Sequence, residues 1–402
     1  MSTAVSASEK RQKTGENAQL PLLFYGNSYH HPDIYQSMRF LAPDPIIALE
    51  HGDARVIVAS ALEKGRAQKE SRATEVRDLL EFGFRELAAQ GLEADEMNAI
   101  VIQRFLTERG ISKVSVPRYF PIGLGDALRA HGVELELARD LALRRRIKRD
   151  DELECLEAAQ RATEEAWAEG VNAIRRATFG ADKVLHLDGE PFTAEKLRAI
   201  VESALLAREC GTPDSTICAP GPQAADPHET GHGPLHANEA IVMDIYPQHR
   251  SRYWADMTRT VSKGAPSAEI VKMYEVVKRA QDEAIAMLRP GITGKEIHER
   301  VEDIIFEAGY DTLRPGHKHR PDDPTIRGFF HGTGHGVGLE IHELPSVGRG
   351  KWGMVPLEPG DVVTIEPGIY DPEIGGVRLE DMLVVTKDGA RNFTRAPREL
   401  VV

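Results

Sequence analysis

From Leu20 to Leu143 short apolar runs alternate with amphipathic stretches. LLFYGN, PIIALEHG, ARVIVAS, KVSVP and VELELA are short and rich in β-branched residues, which predicts strands. HPDIYQSMRFL, EVRDLLEFGFRELAAQG, EADEMNAIVIQRFLTERG and GDALRAHG have apolar positions at helical spacing, and several end on a glycine that can close a helix. Strands and helices in alternation predict an α/β layer domain with a largely buried sheet. No chemistry is concentrated there, and His30 and His31, in a turn-like stretch, read as surface residues.

Beyond Leu143 the pattern changes. DELECLEAAQRATEEAWAEGVNAIRRA predicts one long amphipathic helix and AEKLRAIVESALLAREC a second. EAIVMDIYPQHRSRYWADMTRTVSKG reads as two strands joined by a turn, followed by helices from about Ser267 to Glu307. GDVVTIEPGIYDPEIGGVRLEDMLVVT reads as another strand pair around a Gly-rich turn. Each pair sets carboxylates in otherwise apolar strands, at Asp244, Asp256, Glu366 and Glu380. A lone carboxylate in a buried strand is costly unless it is paired or metal-bound, so four of them call for one shared explanation.

Composition narrows the function. The 402 residues predict two domains, and 41% hydrophobic with 28% charged residues is a soluble globular profile. A net charge of −13 argues against nucleic-acid binding, which needs a basic face. The dense basic run, Arg144 to Arg149, is followed at once by Asp150, Asp151 and Glu152, and reads as a linker entering a helix whose acids sit at its positive end. Cys155, Cys210 and Cys218 are too few and scattered for a disulfide framework, which fits a reducing cytoplasm. Residues 1–18 read as a loose polar tail without the apolar core of a secretory leader, and no run is long enough for a membrane span.

Residues 331–343 read HGTGHGVGLEIHE, with three histidines and two glutamates among four glycines. Two divalent cations would balance the four strand carboxylates, and His335 would add a nitrogen ligand. The glycines let the backbone pass close to such a crowded site. His317 and His319, interleaved with Pro, Gly and Lys, read as a solvated loop, His232 and His236 as loop residues by the pocket mouth, and Trp254 and Trp352 as packing residues.

The order IVMDIYPQ…YWADMTRT, HGTGHGVGLEIHE, TIEPGIY and GVRLED resembles the dinuclear metallopeptidases of the pita-bread fold, over the C-terminal two-thirds of the chain. A preceding domain of this size resembles the Xaa-Pro dipeptidases (prolidases), aminopeptidases P and creatinases. The resemblance implies a creatinase-like α/β N-terminal domain over 19–146 and an α+β pita-bread catalytic domain over 147–402. It implies Asp244, Asp256, His335, Glu366 and Glu380 as metal ligands, with Asp256 and Glu380 bridging both ions. His228, His331 and His342 match histidines that face the substrate, Arg378 an arginine that supports the site, and Tyr370 the tyrosine after the EPG turn. Arg349 and Arg378 are candidates for binding a substrate carboxylate.

The implied activity is hydrolysis of Xaa-Pro dipeptides by a hydroxide bridging two divalent ions, Mn²⁺ before Co²⁺, Zn²⁺ or Fe²⁺, in a homodimer. Alternatives are an aminopeptidase P acting on longer peptides, another small-amide hydrolase, or a non-catalytic binding module, the last recognised by lost ligands. Two departures stand out: Tyr246 replaces the glycine usual two after the first Asp, and the Asp244–Asp256 interval is one residue longer than in many members. A longer polar tip, PQHRSRY, would leave both aspartates facing inward.

Overall fold

The structure, a computed structural model, describes residues 20–319, 323, 325 and 327–402, so the tail expected over 1–18 lies outside the described residues. The chain divides into two compact units that meet between Leu141 and Ala142.

In the first unit the expected strands form β1 (Leu22–Gly26), β2 (Ile46–His51), β3 (Ala54–Ala59), β5 (Lys113–Val116) and β6 (Glu134–Leu137). With β4 (Glu75–Asp78) they make a sheet ordered β4-β3-β2-β1-β5-β6, antiparallel across β1, β2 and β3 and parallel at both flanks. Leu23, Ile47 and Val58 pack on one face with Phe105 and Leu106, while Phe24, Ala48 and Ile57 pack on the other with Ile34 and Met38. Strands covered on both faces lose polar alternation, as their sequences show.

Two elements differ from expectation. EVRDLLEFGFRELAAQG opens as β4, and its helix begins only at Phe84. Between them Leu79–Phe82 forms a single 3-10 turn capped by Asp78, whose carboxylate accepts from the Leu80 N–H at 3.0 Å and whose own N–H donates to Glu81 at 2.8 Å. Gly83 then turns the chain at φ 81°. Conversely Ala61–Glu70 is a helix that the apolar pattern does not announce, because ALEKGRAQKE carries Gly65 and few apolar positions.

In the second unit a 27-residue helix, Asp150–Arg176, starts at the three acids. It packs with the helix Ala194–Leu206 on a sheet of β7 (Ile217–Pro220), β8 (Ala240–Ile245) and β9 (Met257–Ser262), through Ala166, Val171, Leu197, Val201, Met243 and Val261. The helices Ala268–Met287 and Gly294–Glu307 pack against two further sheets through Met273, Val277, Val301 and Ile305. One sheet holds β10 (Gly334–Gly336), β11 (Glu343–Val347), β12 (Val362–Ile365) and β15 (Asp381–Thr386), while β13 (Gly368–Asp371) and β14 (Gly375–Arg378) pair in another.

The strand pair expected over 360–386 is therefore four strands. Both arms cross from one sheet to the other, at Glu366-Pro367 and Leu379-Glu380. Ile365 pairs with Asp381 on one side of the crossing and Gly368 with Arg378 on the other. Pro367 has no N–H to extend a ladder, which favours the break. Among the described residues no helix is long and apolar enough to cross a membrane.

Candidate metal centre

The β8–β9 hairpin pairs Asp244 directly with Thr258. Asp256, two before Thr258, therefore shares its face by strand alternation. The long tip between them is tied down. Tyr246 donates to the Ser215 carbonyl at 2.8 Å, Tyr253 to the buried Glu152 at 2.6 Å, and Trp254 Nε1 to the Leu339 carbonyl at 3.1 Å. Of the four carboxylates only Asp244 lies within a strand; Asp256 precedes β9, and Glu366 and Glu380 sit at the sheet crossings. At a crossing the ladder is interrupted, so a side chain there can turn into the space between sheets.

There they gather with His335. Its Nε2 lies 3.5 Å from Asp256 Oδ2 and 3.4 Å from Glu366 Oε1. Asp256, His335 and Glu380 each offer a ligand atom, all within 4.8 Å of one another. Asp244 Oδ2 is 2.7 Å from Arg378 Nη2, and Thr258 donates to Glu380 Oε2 at 2.8 Å. Asp244 Oδ1 and Glu380 Oε1 are buried with no hydrogen-bond partner. Such orphaned acceptors are rare in a native interior, and a cation satisfies them.

The electrostatics agree. Burial, followed by the charge of Glu380, pushes Asp256 and Glu366 well above the usual carboxylate range, and burial with the charge of Asp244 raises Glu380 to about 8. Burial also drives His335 down to about 3, so it is a neutral imidazole, the form that ligates metal. Carboxylates crowded at this distance ionise together only beside a cation. Oxygen donors with one imidazole suit hard or borderline divalent ions, so these residues fit a metal centre.

The other expected site residues fall into two groups. Tyr370 Oη lies 3.0 Å from Arg378 Nη1 and 2.9 Å from His331 Nε2, linking all three. The His342 ring meets the His335 ring edge-on at 4.3 Å, and exposed His228 is near enough for its charge to act on both His331 and His342. Arg349 instead donates to Glu299 at 3.2 Å and pairs with the buried Glu302, which faces His298. The loop residues His317 and His319, half-buried and exposed, stack their rings on Phe306 at 4.1 and 4.3 Å. His232 and His236 pair with Glu229 and Glu239 at 3.5 and 3.7 Å. Trp254 is buried as expected, whereas Trp352 is exposed under the Lys351 ammonium.

Sequence reasoning passed over Thr258 and Thr364. Thr364 Oγ1 accepts the His335 N–H at 3.1 Å and lies 3.4 Å from Glu366 Oε1. Each threonine stands two residues from a carboxylate, and that period-2 spacing was the available signal. Gly334 is required for a related reason: a Cβ there would meet the Thr364 carbonyl oxygen at 2.0 Å. Gly334→Ala is accordingly expected to destabilise by about 1–3 kcal/mol, the usual cost of overpacking. A denaturant titration checks this, and an unchanged midpoint would show that the strands can separate freely.

A model of metallopeptidase family M24 matches residues 154–387, more than half of the chain. The chain belongs to that family. This M24 chain is 38% identical over 186 residues to the uncharacterized peptidase YqhT of Bacillus subtilis, and 35% identical over 237 residues to the Xaa-Pro dipeptidase of Pyrococcus horikoshii. The matches cover 46% and 58% of the M24 chain, which spans 48% and 62% of the length of these relatives. The crystal structure of a prolidase from Pyrococcus horikoshii superposes with TM-score 0.73 at 27% identity, over 96% of both chains. The expected architecture, an α/β N-terminal domain before an M24 pita-bread domain, is the one observed.

Proposed function

We propose that this M24 chain hydrolyses the Xaa-Pro bond of dipeptides, using two divalent cations held by Asp244, Asp256, His335, Glu366 and Glu380. The observation that carries the reading is that buried carboxylates crowd one neutral imidazole while oxygens of Asp244 and Glu380 stay unpaired. By the family resemblance Asp256 and Glu380 would be shared between the ions, Asp244 would serve one, and His335 with Glu366 the other. Bound there, the ions supply Lewis-acid polarisation of the carbonyl and a more acidic water.

The chain's own groups do the rest. Glu366 takes a proton from the attacking water and passes one to the prolyl nitrogen, which cannot leave unprotonated. His342, beside His335, donates to the oxygen on which negative charge develops. His228 and His331 position the substrate, and Tyr370 holds His331 at 2.9 Å. Arg378 keeps Asp244 oriented at 2.7 Å. Arg349, partly exposed and steered by Glu299 and Glu302, is assigned the free carboxylate of the proline. Manganese is assigned on the family resemblance, ahead of Co²⁺, Zn²⁺ or Fe²⁺, all of which an oxygen-rich set with one imidazole accommodates. The free thiols of Cys155, Cys210 and Cys218 support a reducing cytoplasm, and the family resemblance supports a homodimer.

Substrate length tests the reading. Xaa-Pro dipeptides are expected to be cleaved faster than Xaa-Pro-Yaa tripeptides. A charged hydrogen bond to a carboxylate contributes about 1.5–3 kcal/mol, so amidating the proline should lower kcat/KM by about ten- to a hundredfold. Arg349→Ala should remove most of that difference. A tripeptide that equals or exceeds the dipeptide makes the chain an aminopeptidase P with the same metal centre.

A further inference from the structure

The basic run Arg144–Arg149, which reads as a linker, is built into the M24 unit. Lys148 Nζ lies 2.6 Å from Glu343 Oε1, with their side chains 2% and 3% exposed. Arg145 Nη1 is 3.4 Å from Glu343 Oε2, and its other amino group pairs with Glu340. Arg146 binds both oxygens of buried Asp361, at 2.6 and 2.5 Å. The Lys148 N–H donates to the Gly360 carbonyl at 3.0 Å, and Ile147 bridges Asp361. The run thus lies against the residues that lead into β12 and Glu366.

Glu343 directly follows His342, and its carboxylate folds back over the turn that joins His335 to His342. A Cβ at Gly338 would fall 2.1 Å from Glu343 Oε1, so the carboxylate takes the place a side chain would need. Trp254 holds the same turn from another side, through Gly338 and Leu339. Residues 336–343 are therefore wrapped around one buried carboxylate, whose countercharges come from the run before the long helix.

A buried ion pair is expensive to desolvate, and an apolar pair of the same volume is often as stable or more so. Stability by itself does not explain Lys148 and Glu343. Placement does: countercharges 2.6 and 3.4 Å from its two oxygens hold the carboxylate over Gly338, and with it the residue that follows His342. We propose that Glu343, clamped by Lys148 and Arg145, is a positioning residue that holds the His342 imidazole against His335. The proposal rests on the peptidase reading of the site only for its kinetic consequence.

The test uses the full chain loaded with Mn²⁺, as Glu343→Gln, Lys148→Met and the double variant Lys148→Met/Glu343→Met. The double variant removes both charges at similar volume, and is expected to keep its denaturation midpoint and bound metal. In all three, kcat on an Xaa-Pro dipeptide should fall by about 10- to 100-fold, the scale of outer-sphere supports, with KM little changed. Hydrogen exchange over residues 336–343 should quicken while that of 362–366 does not. If the double variant regains wild-type kcat along with its stability, or keeps wild-type exchange over 336–343, the proposal is overturned. Metal lost in parallel with kcat also overturns it, because the cluster would then support a ligand. If the double variant does not fold, the isosteric Glu343→Gln decides on the same readouts. A wild-type protein inactive on every Xaa-Pro peptide would sink the functional reading, and the exchange measurement would still decide the positioning role.

Discussion

Asp256→Ala and Glu380→Ala are each expected to abolish turnover and strip bound metal. Asp256 faces His335 at 3.5 Å, and Glu380 carries an unpaired buried oxygen, so each removal opens the ring of donors. Loss of an outer-sphere partner alone costs about 10- to 100-fold in affinity or activity, and loss of a shared ligand should exceed that. The metal-free variants should be no less stable than the metal-free wild type, since the change removes one of several crowded buried carboxylates. Metal-linked stabilisation separates the two. At a hundredfold excess over Kd, Mn²⁺ should raise wild-type stability by about 2.7 kcal/mol and the variants by much less. Wild-type turnover in both variants, after chelation and Mn²⁺ re-addition, would remove the dinuclear assignment.

The two histidines seven residues apart in HGTGHGVGLEIHE should part company on mutation. His335→Ala is expected to lose metal and activity together, because its Nε2 lies within 3.5 Å of two carboxylates. His342→Ala should keep most of its metal and lose about 10²- to 10³-fold in kcat, as when one oxyanion donor is removed. His342 meets the edge of the His335 ring and is more exposed, a placement suited to a donor facing substrate. Metal analysis beside steady-state kinetics reads both effects. Metal lost from His342→Ala but retained by His335→Ala would exchange the two roles.

Much of this protein could be read from local pattern. Apolar positions at period 3.6 mark the helices Asp150–Arg176 and Ala194–Leu206, because one buried face is enough to specify a helix. Runs such as ARVIVAS mark strands covered on both faces, which lose polar alternation. Asp244, Asp256, Glu366 and Glu380 were conspicuous because ionisable residues interrupt apolar segments, and with His335 their order pointed to a metallopeptidase. Those inferences need only neighbours in sequence and the cost of burying charge.

What local pattern could not supply is pairing across the chain. TIEPGIY and GVRLEDMLVV read as single strands, and only the pairing of Ile365 with Asp381 and Gly368 with Arg378 reveals that both change sheets at Glu366 and Glu380. Thr258 reaches Glu380 over 122 positions of sequence, and Arg378 reaches Asp244 over 134. Nothing local to Arg349 shows that the helix Gly294–Glu307 brings Glu299 and Glu302 to it. The basic run reads as a linker entering a helix, because six residues carry no sign of carboxylates about two hundred positions away. A charged side chain's environment is set by whichever distant groups the packed sheets deliver to it. Sequence by itself therefore determined which residues could bind metal and what kind of fold would hold them, and tertiary structure alone decided how each charge is neutralised.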